Sequence, residues 1–203
     1  MLILILIFLI WPSSGQNLGY EFKDGFCQRN GRVGYNPNWL GECGMKTHSL
    51  FNQDHFGSDK KLNGINLTSS SFYRVLFNGV SLNHASLRES KIRDSQFINM
   101  QAPFMDLRGV KMQGAQWKDS NLQHWYATGA RLRKSSFINC DLKNANFWGS
   151  SLQQSDFSGS DLRGANLEST FLLFTRFDGA KVNAQTRLPF SKEEAIKRGM
   201  VYQ

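Results

Sequence analysis

The chain has 203 residues, 40% of them hydrophobic, and 24 Lys and Arg against 16 Asp and Glu give it a net charge of +8. That balance counts against any function that needs an acidic surface. Its conspicuous apolar run, MLILILIFLIW at residues 1–11, is too short for a bilayer-spanning helix.

The run has the length of a signal-peptide core. Pro12, Ser13, Ser14 and Gly15 follow it, and small residues at 13 and 15 fit cleavage before Gln16. Residues 1–15 are therefore expected to be a signal peptide, which would make the protein exported, periplasmic or extracellular in a bacterium. The absence of Lys or Arg before the run departs from the signal-peptide pattern, and an uncleaved membrane anchor is the main alternative; after cleavage no transmembrane span would remain.

Residues 16–57 are Gly-rich and contain Cys27 and Cys43, both outside the regular part of the chain. In an oxidising compartment these two are expected to pair. Closing a loop of about sixteen residues would stabilise the segment by about 3 kcal/mol and form an N-terminal cap. A zinc site would have to recruit His48 and His55, at a spacing that matches no standard zinc pattern.

From Leu62 to Val182 every fifth residue is apolar, twenty-five in succession. At this hydrophobic content chance would produce such a run about once in ten thousand million trials, so it is an internal repeat. Five residues form no stripe on an α-helix and alternate faces on a straight strand. The apolar centres can share one core only if the chain turns a corner in every pentad. Two residues before each centre sits a small residue, such as Ser70, Ala85, Ser95 or Ala165, on the same inward side. The residue between points out, and the last position favours turn formers, including Gly64, Gly109 and Gly149.

Every fourth centre gives Phe77, Phe97, Trp117, Phe137, Phe157 and Phe177, all aromatic. The column Leu62, Leu82, Ala102, Leu122, Leu142, Leu162, Val182 has none. A period of twenty means four pentads per turn: a square coil of about six turns, roughly 30 Å long. Residues 58–184 are predicted to be this all-β solenoid.

Pentads such as Ala145-Asn146-Phe147-Trp148-Gly149, Ser160-Asp161-Leu162-Arg163-Gly164 and Ala165-Asn166-Leu167-Glu168-Ser169 resemble those of the pentapeptide-repeat proteins, whose consensus is A(D/N)LxX. The resemblance implies a right-handed quadrilateral parallel β-helix. Characterised members of that family include topoisomerase-protecting proteins that mimic DNA through an acidic surface, and some members dimerise at the C-terminal end. This repeat is basic, and a leader would remove the chain from the cytoplasm. DNA mimicry toward a topoisomerase is thus the alternative reading and not the leading one.

In residues 185–203, Ser191-Lys192-Glu193-Glu194 forms a capping box for a short helix that Gly199 stops. Ala195, Ile196, Leu188, Pro189 and Phe190 are expected to cover the last coil, which carries Phe171, Leu173 and Phe174 pointing outward. The same patch would otherwise serve a homodimer contact, so monomer and C-terminal-end dimer both stay open.

Function is then expected on the outer surface. The face built on Phe72, Ile92, Met112, Leu132, Leu152 and Leu172 presents Arg74, Lys91, Arg93, Lys111, Arg131, Arg133 and Lys134, opposed by Asp94, with Arg88 and Arg108 just before its leading corner. Like charges stacked about 5 Å apart repel unless counter-ions or a ligand occupy the face. This is a candidate anion-binding face for a protein or an anionic envelope component, with nucleic acid disfavoured. Asp141 and Asp161 stack one coil apart, at a separation seen in retaining glycosidases, but Lys143 and Arg163 beside them remove the acid role. His84 and His124 lie two coils apart, too far to share a metal ion. Trp125 takes an inward small position while its centre is only Ala127, so the two volumes should compensate. The chain therefore reads as a non-enzymatic scaffold or binding module, with no catalytic residue, metal or cofactor.

Overall fold

A computed structural model describes residues 21–23, 26–29, 32–33, 50–53, 55–58 and 61–203. The proposed leader and the Cys27–Cys43 pairing lie outside what it describes; of Cys27 only the backbone is placed. β1 (Glu21–Lys23), β2 (Phe26–Arg29) and β3 (Arg32–Val33) form an antiparallel sheet in that order.

The repeat forms a β-solenoid of about seven turns. Successive coils pair in parallel at a step of twenty residues, with Lys61 on Ser81 along the first face, Asn66 on Ser86 and Ser86 on Asp106 along the second, and so on to Asp161 with Lys181. The third face is a sheet of β4 (Leu50–Asn52), β6 (Ser71–Tyr73), β8 (Lys91–Arg93) and β10 (Lys111–Gln113), continued beyond β10 by single bridges. The fourth face holds β5 (His55–Phe56), β7 (Leu76–Asn78), β9 (Gln96–Ile98), β11 (Gln116–Lys118) and β12 (Ser136–Ile138). At both ends one step lengthens to twenty-one residues, from Leu50 to Ser71 and from Asn166 to Arg187. The stacking therefore extends past the regular pentads, and the coil is longer than the five-residue beat implies.

All the apolar centres are buried except Leu172, which is half-buried. Each fully buried Leu or Phe stabilises the fold by roughly 1.5–3 kcal/mol. The aromatic column stacks as expected, with ring centroids 5.2 Å apart for Phe77–Phe97, 3.9 Å for Phe97–Trp117, 4.8 Å for Phe137–Phe157 and 5.6 Å for Phe157–Phe177. The inward serines also satisfy backbone groups. Ser155 Oγ donates to Leu132 O at 2.6 Å, and Val75 N–H and Met100 N–H donate to Ser95 Oγ and Ser120 Oγ of the next coil, at 3.1 and 3.0 Å.

The corners share one backbone device. From Gly64 to Gly179 every fifth residue is left-handed, with φ between 49° and 71°. Many corners close as turns in which the centre's carbonyl accepts the N–H three residues on, as Leu82 O does from Ala85 at 3.0 Å. Fifteen of these twenty-four residues are not glycine, among them His84, Phe104, Lys134 and Phe174. The left-handed conformation costs a residue with a Cβ about 1–2 kcal/mol. The coil thus imposes the corner on side chains that would not choose it.

The C-terminal segment continues the spiral. β13 (Lys181–Val182) pairs in parallel with β14 (Val201–Tyr202), and α1 (Lys192–Lys197) lies between them in sequence. Ser191 caps α1 by accepting the Glu194 N–H at 3.3 Å, and Gly199, at φ 82°, follows its end. Ala195 and Met200 are buried, and Leu188, Phe190 and Tyr202 pack on the core. The expected cover for Phe171, Leu173 and Phe174 does not form: they remain 63%, 61% and 73% exposed. The cap closes the end of the coil along its axis, whereas these side chains point away from the axis.

Candidate functional site

The third face carries the candidate site. Its outward positions are fixed by strand alternation: in β8 the burial runs exposed, buried, exposed for Lys91, Ile92 and Arg93, and β10 repeats it. Lys91, Lys111 and Arg131 are direct partners in successive coils, so their side chains leave the face one above another. A groove of about 470 Å³ opens there, lined by Lys91, Arg93, Lys111, Met112, Gln113, Arg131, Arg133 and Lys134. Six of these eight are cations, and no carboxylate lines the groove. Among the described residues none of the six forms an ion pair; Asp94 stands exposed at a corner of the same face. The arrangement concentrates positive potential in a concave surface, where an anion with several charged oxygens would meet several cations together.

The remaining members of the predicted face are placed differently. Arg108 is clamped to Asp106 at 2.5 Å, and Arg88 lies 4.0 Å from the same carboxylate. Burial alone would raise the Asp106 pKa, but the Arg108 hydrogen bonds and the two guanidinium charges carry it below its ordinary value. Both arginines are thereby partly neutralised on the adjoining second face. Arg74 stays near the third face, its guanidinium 4.8 Å over the Tyr73 ring.

The other constellations have structural roles. Lys143 Nζ bridges Asp141 at 2.9 Å and Asp161 at 3.6 Å, while Arg163 grips Asp161 at 2.5 Å. Burial opposes ionisation of Asp161, yet the Arg163 hydrogen bonds and charge prevail and hold its pKa below the usual carboxylate value. An acid so held has no proton to give near neutral pH. His84, Phe104 and His124 stack at 4.8 and 4.7 Å, nearly parallel. Phe104 fills the coil between the two histidines, as the twenty-residue column implies, and keeps the imidazoles two ring spacings apart. Cys140 is buried, and burial pushes its thiol from 9.0 up to about 12, so it is an inert core residue.

Buried centres, inward side chains two residues before them and left-handed corners together build a four-sided coil from one repeating pentad. The sequence profile described as pentapeptide repeats matches residues 121–159 and 149–183, in eight copies. Residues 121–183 are pentapeptide repeats. The pentapeptide-repeat coil can be compared with several solved structures. Rfr23 from the cyanobacterium Cyanothece 51142 shares 15% identity over 70% of this chain and 85% of its own, with a TM-score of 0.34. Trypsin-treated QnrB1, a plasmid-mediated fluoroquinolone resistance protein, shares 17% over 73% and 76%, at 0.34. The pentapeptide repeat protein alr5209 from Nostoc PCC 7120 shares 23% over 53% and 86%, at 0.27. No curated protein matches the chain by sequence.

Proposed function

We propose that this protein is an exported, non-enzymatic pentapeptide-repeat binding module that docks a polyanionic partner on its third face. The observation that carries the reading is the groove lined by six cations and no carboxylate. Cations stacked at strand spacing repel one another, so a bound polyanion relieves a cost that the free protein bears. The tight ion pairs around Asp161, against the bare cations of the groove, favour a docking surface over an acid–base site.

Binding to heparin, a soluble sulfated polyanion, tests the face. The wild type is expected to bind with an affinity that falls steeply as salt rises, because cations that replace condensed counter-ions release them. Lys91→Glu, Lys111→Glu and Arg131→Glu together should weaken binding at least about 100-fold at low salt, since each reversal removes an attraction and adds a repulsion. A control with Lys118, Lys181 and Lys197 changed to Glu has the same net charge and should lose far less. Equal loss in both variants would reduce the effect to net charge and end the face-specific reading.

Export rests on the apolar run at residues 1–11 and the small residues after it. Mass spectrometry of the protein expressed with its own leader should find a chain beginning at Gln16; retention of Met1 would overturn cleavage.

A further inference from the structure

The third face does not end with its cations. In-register bridges run from Lys91 through Lys111, Arg131 and Ser151 to Phe171. Beside this column, Arg133, Gln153 and Leu173 follow one another at the same twenty-residue step, as do Lys134, Gln154 and Phe174 at the corner. The backbone pairing holds there too, with Lys134 N–H on Gln153 O and Gln154 N–H on Leu173 O. One flat surface therefore passes from cationic, through a single polar coil, to apolar. Arg131 and Phe171 stand two strand spacings apart, roughly 10 Å.

The apolar end is built to project. Phe174 is 73% exposed while its backbone holds a left-handed corner, φ 58°, so it occupies a strained position without burial in return. Phe171 and Leu173 flank it, and the C-terminal cap leaves all three uncovered. A soluble polyanion would meet the cations and have no use for these three side chains.

We infer that the third face is a peripheral membrane-docking surface for an anionic phospholipid bilayer, with Phe171, Leu173 and Phe174 entering the acyl boundary and Lys91, Lys111, Arg131, Arg133 and Lys134 lying on the headgroup phosphates. This rests on the polyanion reading of the same face and adds the identity of the partner. A bilayer offers both chemistries within reach of one flat surface: an anionic layer, and an apolar one about 5–10 Å beneath it. Each Lys or Arg near such a surface raises partitioning about fivefold, and screening by salt weakens it. The apolar residues supply a part of the affinity that salt does not remove.

Co-sedimentation of the full chain with vesicles of about one-third phosphatidylglycerol in phosphatidylcholine is the test, run beside heparin binding. The wild type should bind these vesicles and not those of phosphatidylcholine alone. Phe171→Ser, Leu173→Ser and Phe174→Ser together should cost about tenfold or more on vesicles while leaving heparin affinity unchanged. These positions are exposed, so an unaltered thermal melt will establish that the variant folds. The triple charge reversal should abolish both interactions. Unchanged vesicle binding by the serine variant, or wild-type binding to heparin alone, would overturn the membrane inference and leave the polyanion face standing. Heparin binding that survives the charge reversal would remove the polyanion reading itself.

Discussion

Replacing Trp125 by Ala is expected to destabilise the solenoid by about 3–5 kcal/mol, and changing Ala127 to Leu in the same chain is expected to restore more than half of the loss. Trp125 takes an inward position that elsewhere in the coil holds smaller residues, from Ala and Ser to Val and Met, and it is fully buried. Its ring meets the edge of Trp117 at a centroid distance of 4.7 Å, and its Nε1–H donates to Ala102 O at 2.7 Å. It fits only because its own centre, Ala127, is small and equally buried. Truncating Trp125 leaves a cavity and removes a hydrogen-bond donor; adding Leu at 127 alone overpacks the same space and should cost about 1–3 kcal/mol. The double variant rewrites the pentad in its ordinary form, small before the centre and large at it. Urea unfolding of the wild type, both single variants and the double variant gives the coupling energy, which should be favourable. Additive losses would show that the two volumes do not compensate.

The same pentad shows how far the residues alone speak. The twenty-five apolar centres declared the coil because each must face one interior, and the aromatic column declared its four sides because like rings stack at one coil spacing. The basic face followed from that sorting, since Lys91, Lys111 and Arg131 are scattered in sequence and adjacent only at a period of twenty. The ends were less legible. A single extra residue in the steps from Leu50 to Ser71 and from Asn166 to Arg187 breaks the five-residue beat, while the backbone pairing absorbs it. The corners were half legible: glycine marks some, but residues such as Phe104 and Lys134 give no local sign of a left-handed backbone, because the neighbouring coils enforce it. Arg88 and Arg108 looked like part of the basic face until Asp106, their neighbour on the second face, claimed them. The direction of the C-terminal cap depends on where the chain leaves the last coil, which no pentad pattern encodes.

Because the pentads are nearly interchangeable, the docking face can be cut in two without touching any of its residues. Deleting Ala145–Gly149 should abolish binding to anionic vesicles while leaving a folded solenoid. Removal of one pentad turns everything downstream back by one side of the square. Phe171, Leu173 and Phe174 would then leave the third face for the second, around a corner from Lys91, Lys111 and Arg131. Each displaced centre still meets an apolar centre below: Phe157 would rest on Leu132, Leu162 on Phe137 and Leu167 on Leu142. The cost is the lost Phe137–Phe157 stack, now 4.8 Å, and one pentad of buried surface. A stacked aromatic pair is worth about 0.5–1.5 kcal/mol beyond its area, so the coil should survive. Deleting Ala145–Gly164, a whole turn, keeps every column in place and sets Phe171 directly above Arg131. This longer deletion should retain vesicle binding although it removes four times as much chain. Circular dichroism and thermal melts would verify that both proteins fold. Vesicle binding that persists after the five-residue deletion would mean that cations and apolar residues need not share a face, and the membrane inference would fall. Loss in both deletions would tie binding to the removed residues rather than to the alignment of the face, which is equally fatal to it.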